Sequence, residues 1–111
     1  MKKLIRILPP LACLLLAAGP ALAAGDPQAG QTKSQPCQAC HGANGMSVDP
    51  MYPNLAGQYA SYLQQALTDY RDGTRKNPIM SGFAAALSDQ DIADLAAWFS
   101  SQQGLQVISS N

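Results

Sequence analysis

The 111-residue sequence has a single histidine and no glutamate, and only 13% of its side chains are charged. One imidazole excludes any site that needs two. No apolar run reaches the roughly 18 residues that a membrane-spanning helix needs. No basic tract is present to meet nucleic acid or anionic lipid, and there is neither an internal repeat nor a low-complexity stretch. No segment alternates apolar and polar residues with the period of two that marks a half-buried strand, so helices and loops remain. Disorder is also excluded, because 47% of the residues are apolar and the charge is low.

What is present begins with an export pattern. Lys2, Lys3 and Arg6 form a positive start, Leu11 to Ala18 an apolar stretch, and Ala21-Leu22-Ala23 a small-residue cleavage site. The expected organisation is a signal peptide over residues 1–23 and one domain over residues 24–111. Removing the first segment takes three of the seven cations and leaves all seven aspartates, so four positive charges face seven negative ones, a net −3. It also takes Cys13 and leaves Cys37 and Cys40 as the only thiols. A domain this short has a thin core and usually needs a metal, a cofactor or disulfides to hold it.

Three helices are expected, giving an all-α domain. Asp26 can cap the first, with Pro27 at its first position, and Pro36 should shorten its far end. Tyr59, Leu63, Ala66, Leu67 and Tyr70 make the apolar stripe of the second, which Gly73 is placed to end. Ser88 and Asp91 resemble a capping box at the start of the third; its face is Ile92, Leu95, Ala96 and Phe99, with Gly104 as its stop. Residues 42–57 and 74–86 read as loops punctuated by glycine and proline. Asp89, Asp91 and Asp94 complement the dipole of the third helix, and a solvated surface accounts for them and for Asp69 and Asp72 better than paired-carboxylate catalysis does.

Cys37-Gln38-Ala39-Cys40-His41 is the attachment signature of a c-type haem. Two thiols three residues apart on a helical turn can both reach the vinyl groups of one porphyrin edge, and the next residue is then held under the ring as an iron ligand. A thioredoxin-type pair would need a βαβ context, zinc would need four ligands where two Cys and one His are on offer, and a plain disulfide would leave His41 beside it by accident. Haem is the favoured reading, and a flat apolar macrocycle would supply the buried surface that the short chain lacks. For the second axial position the candidates are Met46, Met51 and Met80. Met46 is too close to His41 in sequence to reach the opposite face, and Met51 could reach it only under strain. Met80 lies beyond the second helix in Asn77-Pro78-Ile79-Met80, and is the expected ligand, although filling a core gap is the commoner work of methionine.

These residues resemble the bacterial class I monohaem cytochromes c of the short periplasmic c-four and c-five types. The resemblance covers essentially the whole of residues 24–111. It is carried by Cys37-Gln38-Ala39-Cys40-His41-Gly42, by Tyr52-Pro53-Asn54-Leu55-Ala56-Gly57-Gln58, and by Met80 followed by Ala86-Leu87-Ser88-Asp89, in family order. It implies a small fold of three main helices wrapped around one covalent haem c. It further implies that the Pro53 carbonyl accepts from His41 Nδ1–H, that Leu55 packs on the porphyrin, and that the first and last helices cross at Gly30 against Leu95 and Trp98. Pro36 and the lack of a second cysteine pair depart from the family pattern without threatening haem binding. Gln58 and Arg75 are candidate partners for the haem propionates, with an ordinary solvated side chain the better account of Arg75.

The function expected from all this is a periplasmic one-electron carrier with His41 and Met80 as axial ligands, and not an enzyme. It would dock weakly and transiently on redox-protein donors and acceptors, with no nucleic acid and no membrane span after cleavage. The alternatives are a haem subunit of a periplasmic oxidoreductase, or an open-site haem peroxidase or gas sensor.

Overall fold

A computed structural model describes residues 24–104; the expected signal segment 1–23 and residues 105–111 lie outside the described part. The elements run α1 (Pro27–Lys33), a 3-10 turn (Gln35–Cys37), α2 (Gln38–His41), α3 (Ala60–Asp72), α4 (Pro78–Ala84) and α5 (Asp89–Ser101). The described residues are helical with no strand, as the missing period-two alternation predicts. None of these helices is long and apolar enough to cross a membrane.

Most ends follow from local chemistry. Asp26 Oδ1 accepts from the N–H groups of Gln28 and Ala29 at 2.9 and 3.4 Å, with Pro27 at the first helical position. Pro36 lacks an N–H, and α1 stops at Lys33, where Ser34 leads into the tighter turn. Gly73 closes α3 at φ 81°, a left-handed conformation that costs glycine no Cβ clash. Ser88 and Asp91 form a full capping box, each side chain accepting from the other's backbone N–H.

Four expectations need correction. Residues 74–86 are not all loop, because Asn77 Oδ1 takes the N–H groups of Ile79 and Met80 at 3.0 and 3.1 Å and starts α4 with Pro78 in its first turn. Tyr59 is 80% exposed and does not belong to the buried stripe of α3, because it is the extended residue before that helix begins. Gly104 does not end the last helix. α5 stops at Ser101, and Gly104 lies against the Ala56 carbonyl, where a Cβ would come within 2.0 Å of the oxygen. Asp94 is not solvated surface: it is 3% exposed and faces α1.

The packing of α1 on α5 explains that last burial. Asp94 accepts from the Asp26 backbone N–H at 2.8 Å, from Gln90 Nε2 at 2.8 Å and from Lys33 Nζ at 2.6 Å. Lys33 also reaches Asp91 at 2.7 Å. Both carboxylate oxygens are thereby given donors, two on Oδ1 and one on Oδ2, which is the condition for keeping a carboxylate inside. The Asp26 N–H and the Lys33 ammonium together hold the Asp94 carboxyl below its ordinary range.

The two helices touch through glycine. A Cβ on Gly30 would lie 2.0 Å from the Asp94 carbonyl oxygen and 2.7 Å from Trp98 Cβ. Trp98 is therefore at the crossing as expected; Leu95, 2% exposed, is part of the core cluster with Leu63, Ala96 and Phe99, against which Trp98 also packs. Gly25 makes a second close approach, to the Ala93 carbonyl, that the sequence reading missed.

Candidate functional site

The core is thin, as the length predicts: only seven hydrophobic side chains are buried among the described residues, three of them alanines. Beside them lies a cavity of about 450 Å³. Its lining draws on the 3-10 turn and α2 (Cys37, Cys40, His41), on the following loop (Pro53, Leu55), on α3 (Leu63), on α4 (Met80) and on α5 (Phe99). Such a volume falls in the range of cofactor sites, which are mostly apolar with a few placed polar groups.

The attachment segment is built by the turn that Pro36 enforces. Ser34, fully buried, donates to the Gln31 carbonyl at 2.7 Å and accepts from Gln38 Nε2 at 3.3 Å, tying the turn to the start of α2. Cys37 and Cys40 are three residues apart across one helical turn, and neither is in a disulfide. Burial pushes the Cys37 thiol up, with the Cys40 charge adding to the rise. Among the described residues no cluster of three or more His, Cys or Asp side chains is placed to hold a metal ion directly, which counts against zinc.

His41 is 6% exposed, and its Nδ1 lies 2.9 Å from the Pro53 carbonyl oxygen. A carbonyl can only accept, so Nδ1 carries the proton and the lone pair is left on Nε2, the state needed to ligate a metal. The loop that presents Pro53 is pinned at several points. Leu55 and Ala56 both donate to the Gly45 carbonyl at 2.7 and 3.1 Å, Asn54 Oδ1 takes the Ser47 N–H at 2.8 Å, and Ser47 Oγ reaches the Cys40 carbonyl at 3.2 Å. Gly57 N–H then donates to the Phe99 carbonyl at 3.0 Å and fastens the loop to α5. Ser47 and Asn54 are thus supporting residues that the sequence reading overlooked; only their short polar side chains in a loop hinted at it.

Of the three methionines, Met80 is half-buried on the cavity lining, held in the first turn of α4 by the Asn77 cap. Met51 reaches the lining from the loop but is 78% exposed, and Met46 does not line the cavity. Gln58 and Arg75 both lie on the lining, Arg75 with its guanidinium carbon 4.8 Å from the centre of the Tyr70 ring. The residues present fit a covalent haem: two thiols on one turn, an oriented imidazole, a soft thioether and an apolar chamber converge on a single cavity.

Comparison with known proteins agrees. Residues 27–103 match the family model described as Cytochrome c. The chain is 51% identical over 83 residues to cytochrome c-554(548) of Halomonas halodenitrificans, covering 72% of this chain and all of that protein. It is 52% identical over 85 residues to cytochrome c4 of Pseudomonas aeruginosa, covering 77% of this chain but 42% of that longer protein. The crystal structure of reduced recombinant cytochrome c4 from Pseudomonas stutzeri superimposes with a TM-score of 0.70 at 46% identity, over 74% of this chain and 48% of that one. The chain therefore spans the full length of one relative and at most half of the c4 proteins it matches. It belongs to the cytochrome c family, carries a covalent c-type haem and works by electron transfer.

Proposed function

We propose that this chain is a diffusible periplasmic carrier in which Cys37 and Cys40 would hold the haem by thioethers and His41 and Met80 would be its iron ligands. The observation that carries the reading is the convergence of these four side chains on one cavity, with the His41 tautomer fixed by Pro53. Bound haem supplies Fe(III)/Fe(II) cycling, one electron at a time. The Pro53 carbonyl orients the His41 ring and raises its basicity. Met80 would supply a thioether, a soft ligand that raises the reduction potential and would keep outside molecules from the iron. Leu55, Leu63 and Phe99 give the cavity apolar walls. The export pattern of residues 1–23 supports the periplasmic location.

Docking on redox partners would use the rim of this cavity. Met51, Tyr62, Ile79 and Phe83 line it and are at least half exposed, and no carboxylate lines it among the described residues. The local surface is thus apolar where the whole-domain charge of −3 suggests attraction to basic partners, and it supports brief contacts of small area with shallow salt dependence. The test is a potentiometric titration of the matured protein with a carbon monoxide challenge, repeated on Met80→Ala. The native protein is expected to resist carbon monoxide, and the variant to bind it with a lowered potential. An unchanged spectrum and potential in the variant would remove Met80 from the iron and the closed-site carrier with it.

A further inference from the structure

Among the described residues, Arg75 is the only charged one lining the cavity. The ion pairs among the described residues join Lys33 to Asp91 and Asp94, and Arg71 to Asp72 and Asp89; none includes Arg75. Its guanidinium is nevertheless held in place. The αL turn at Gly73 brings the chain back along α3, so that the Arg75 N–H donates to the Asp69 carbonyl at 3.0 Å. The side chain then lies over the Tyr70 ring at 4.8 Å, and Nη1 donates to Tyr62 Oη at 3.4 Å. Tyr62 and Tyr70 are eight residues apart on α3 and share a face, so the helix provides both halves of the cradle. Nη1 is the one guanidinium nitrogen with a hydrogen-bond partner among the described residues, so further N–H groups remain for a carboxylate, which a guanidinium can receive in pairs.

A haem brings two propionate carboxylates to a site that is otherwise apolar. A carboxylate brought against such a lining without a partner is strongly disfavoured. We propose that Arg75, cradled by Tyr62 and Tyr70, receives a haem propionate and that its positive charge raises the reduction potential. The sign follows from Coulomb's law: a nearby cation, or neutralisation of a nearby carboxylate, favours the iron state with one positive charge fewer. Gln58 stands on the same lining as a neutral companion. Its Oε1 already accepts from the Tyr59 N–H at 2.9 Å, so its NH2 group remains available as a donor. The inference rests on the haem reading above but not on the identity of the sixth ligand.

The test is potentiometric titration of the matured native, Arg75→Gln and Arg75→Lys proteins, with visible spectra of each. Arg75→Gln is expected to keep the native spectrum while its reduction equilibrium shifts about tenfold toward the oxidised form, which for one electron is about 59 mV. Arg75→Lys, which restores the charge without the fork, should recover a substantial part of that shift. Tyr62→Phe removes one cradle hydroxyl and should move the potential in the same direction by less; it serves if Arg75→Gln does not mature. Identical potentials across the set would overturn the proposal and make Arg75 an ordinary solvated cation. A shift that Arg75→Lys does not recover at all would also overturn it, assigning Arg75 to packing on Tyr70. A native spectrum without sulfur ligation would instead count against Met80 and leave the Arg75 comparison standing.

Discussion

Replacing Gly30 by alanine tests the contact that sets α1 against α5. The new methyl carbon would sit 2.0 Å from the Asp94 carbonyl oxygen and 2.6 Å from its carbon, both backbone atoms that no rotamer can move. Relief requires the helices to part by about 1 Å, and a close-packed interior does not absorb that locally. Overpacking of this kind costs about 1–3 kcal/mol, and a backbone obstacle puts Gly30 at the upper end. Alanine returns up to about 1 kcal/mol through helix propensity. The net expectation is a loss of about 2 kcal/mol, a fall in Tm of roughly 8–16 °C for a domain of this size. Gly82 is the control, because a Cβ there meets nothing within 4 Å in the middle of α4. Gly82→Ala should therefore gain up to about 1 kcal/mol. Denaturant unfolding of both haem-loaded variants, followed by circular dichroism, reads the two signs side by side. If Gly30→Ala proves as stable as Gly82→Ala, the helices are not in backbone contact and the account of the crossing is wrong.

Acid should weaken the same junction. The Lys33 ammonium and the Ser88 backbone and hydroxyl hold Asp91 down to about 2, and Asp94 is lowered by the Asp26 N–H and by Lys33. A carboxylate held below its unfolded value of about 3.9 stabilises the fold above that pH, and the contribution disappears as pH falls through the native value. Asp94→Asn should lower stability at neutral pH by about 1.5–3 kcal/mol and flatten the acid limb of the stability curve; an acid limb identical to the native one would refute the assignment. The double variant Cys37→Ser/Cys40→Ser should lose its pigment to an organic solvent under denaturing conditions that leave the native protein coloured, and retention of the colour would disprove thioether attachment.

The parts of the molecule that were legible in advance are those governed by neighbours in sequence. The Asp26-Pro27 cap, the Ser88–Asp91 box, the Pro36 break and the spacing of Cys37, Cys40 and His41 all act within a few residues. The Pro53 carbonyl was foreseen only through family resemblance, since nothing local announces a hydrogen bond across twelve residues. Asp94 escaped for the same reason: its donors at Asp26 and Lys33 are 68 and 61 residues away. A carboxylate in the first turns of a helix looks solvated until the partner helix is known. Helix α4 escaped differently. Its Asn-Pro start was visible, but seven residues containing Gly82 are too few to display a stripe.

The Asn77 cap gives the small helix α4 a kinetic meaning. One amide oxygen holds the N–H groups of both Ile79 and Met80, so the thioether is carried by the very turn whose formation that oxygen secures. Swinging the sulfur away by a backbone movement would unravel this turn and forfeit a cap of about 1 kcal/mol. With Met80 on the iron as proposed, the access of an outside molecule is coupled to the fraying of this first helical turn, rather than to the rotation of a single side chain.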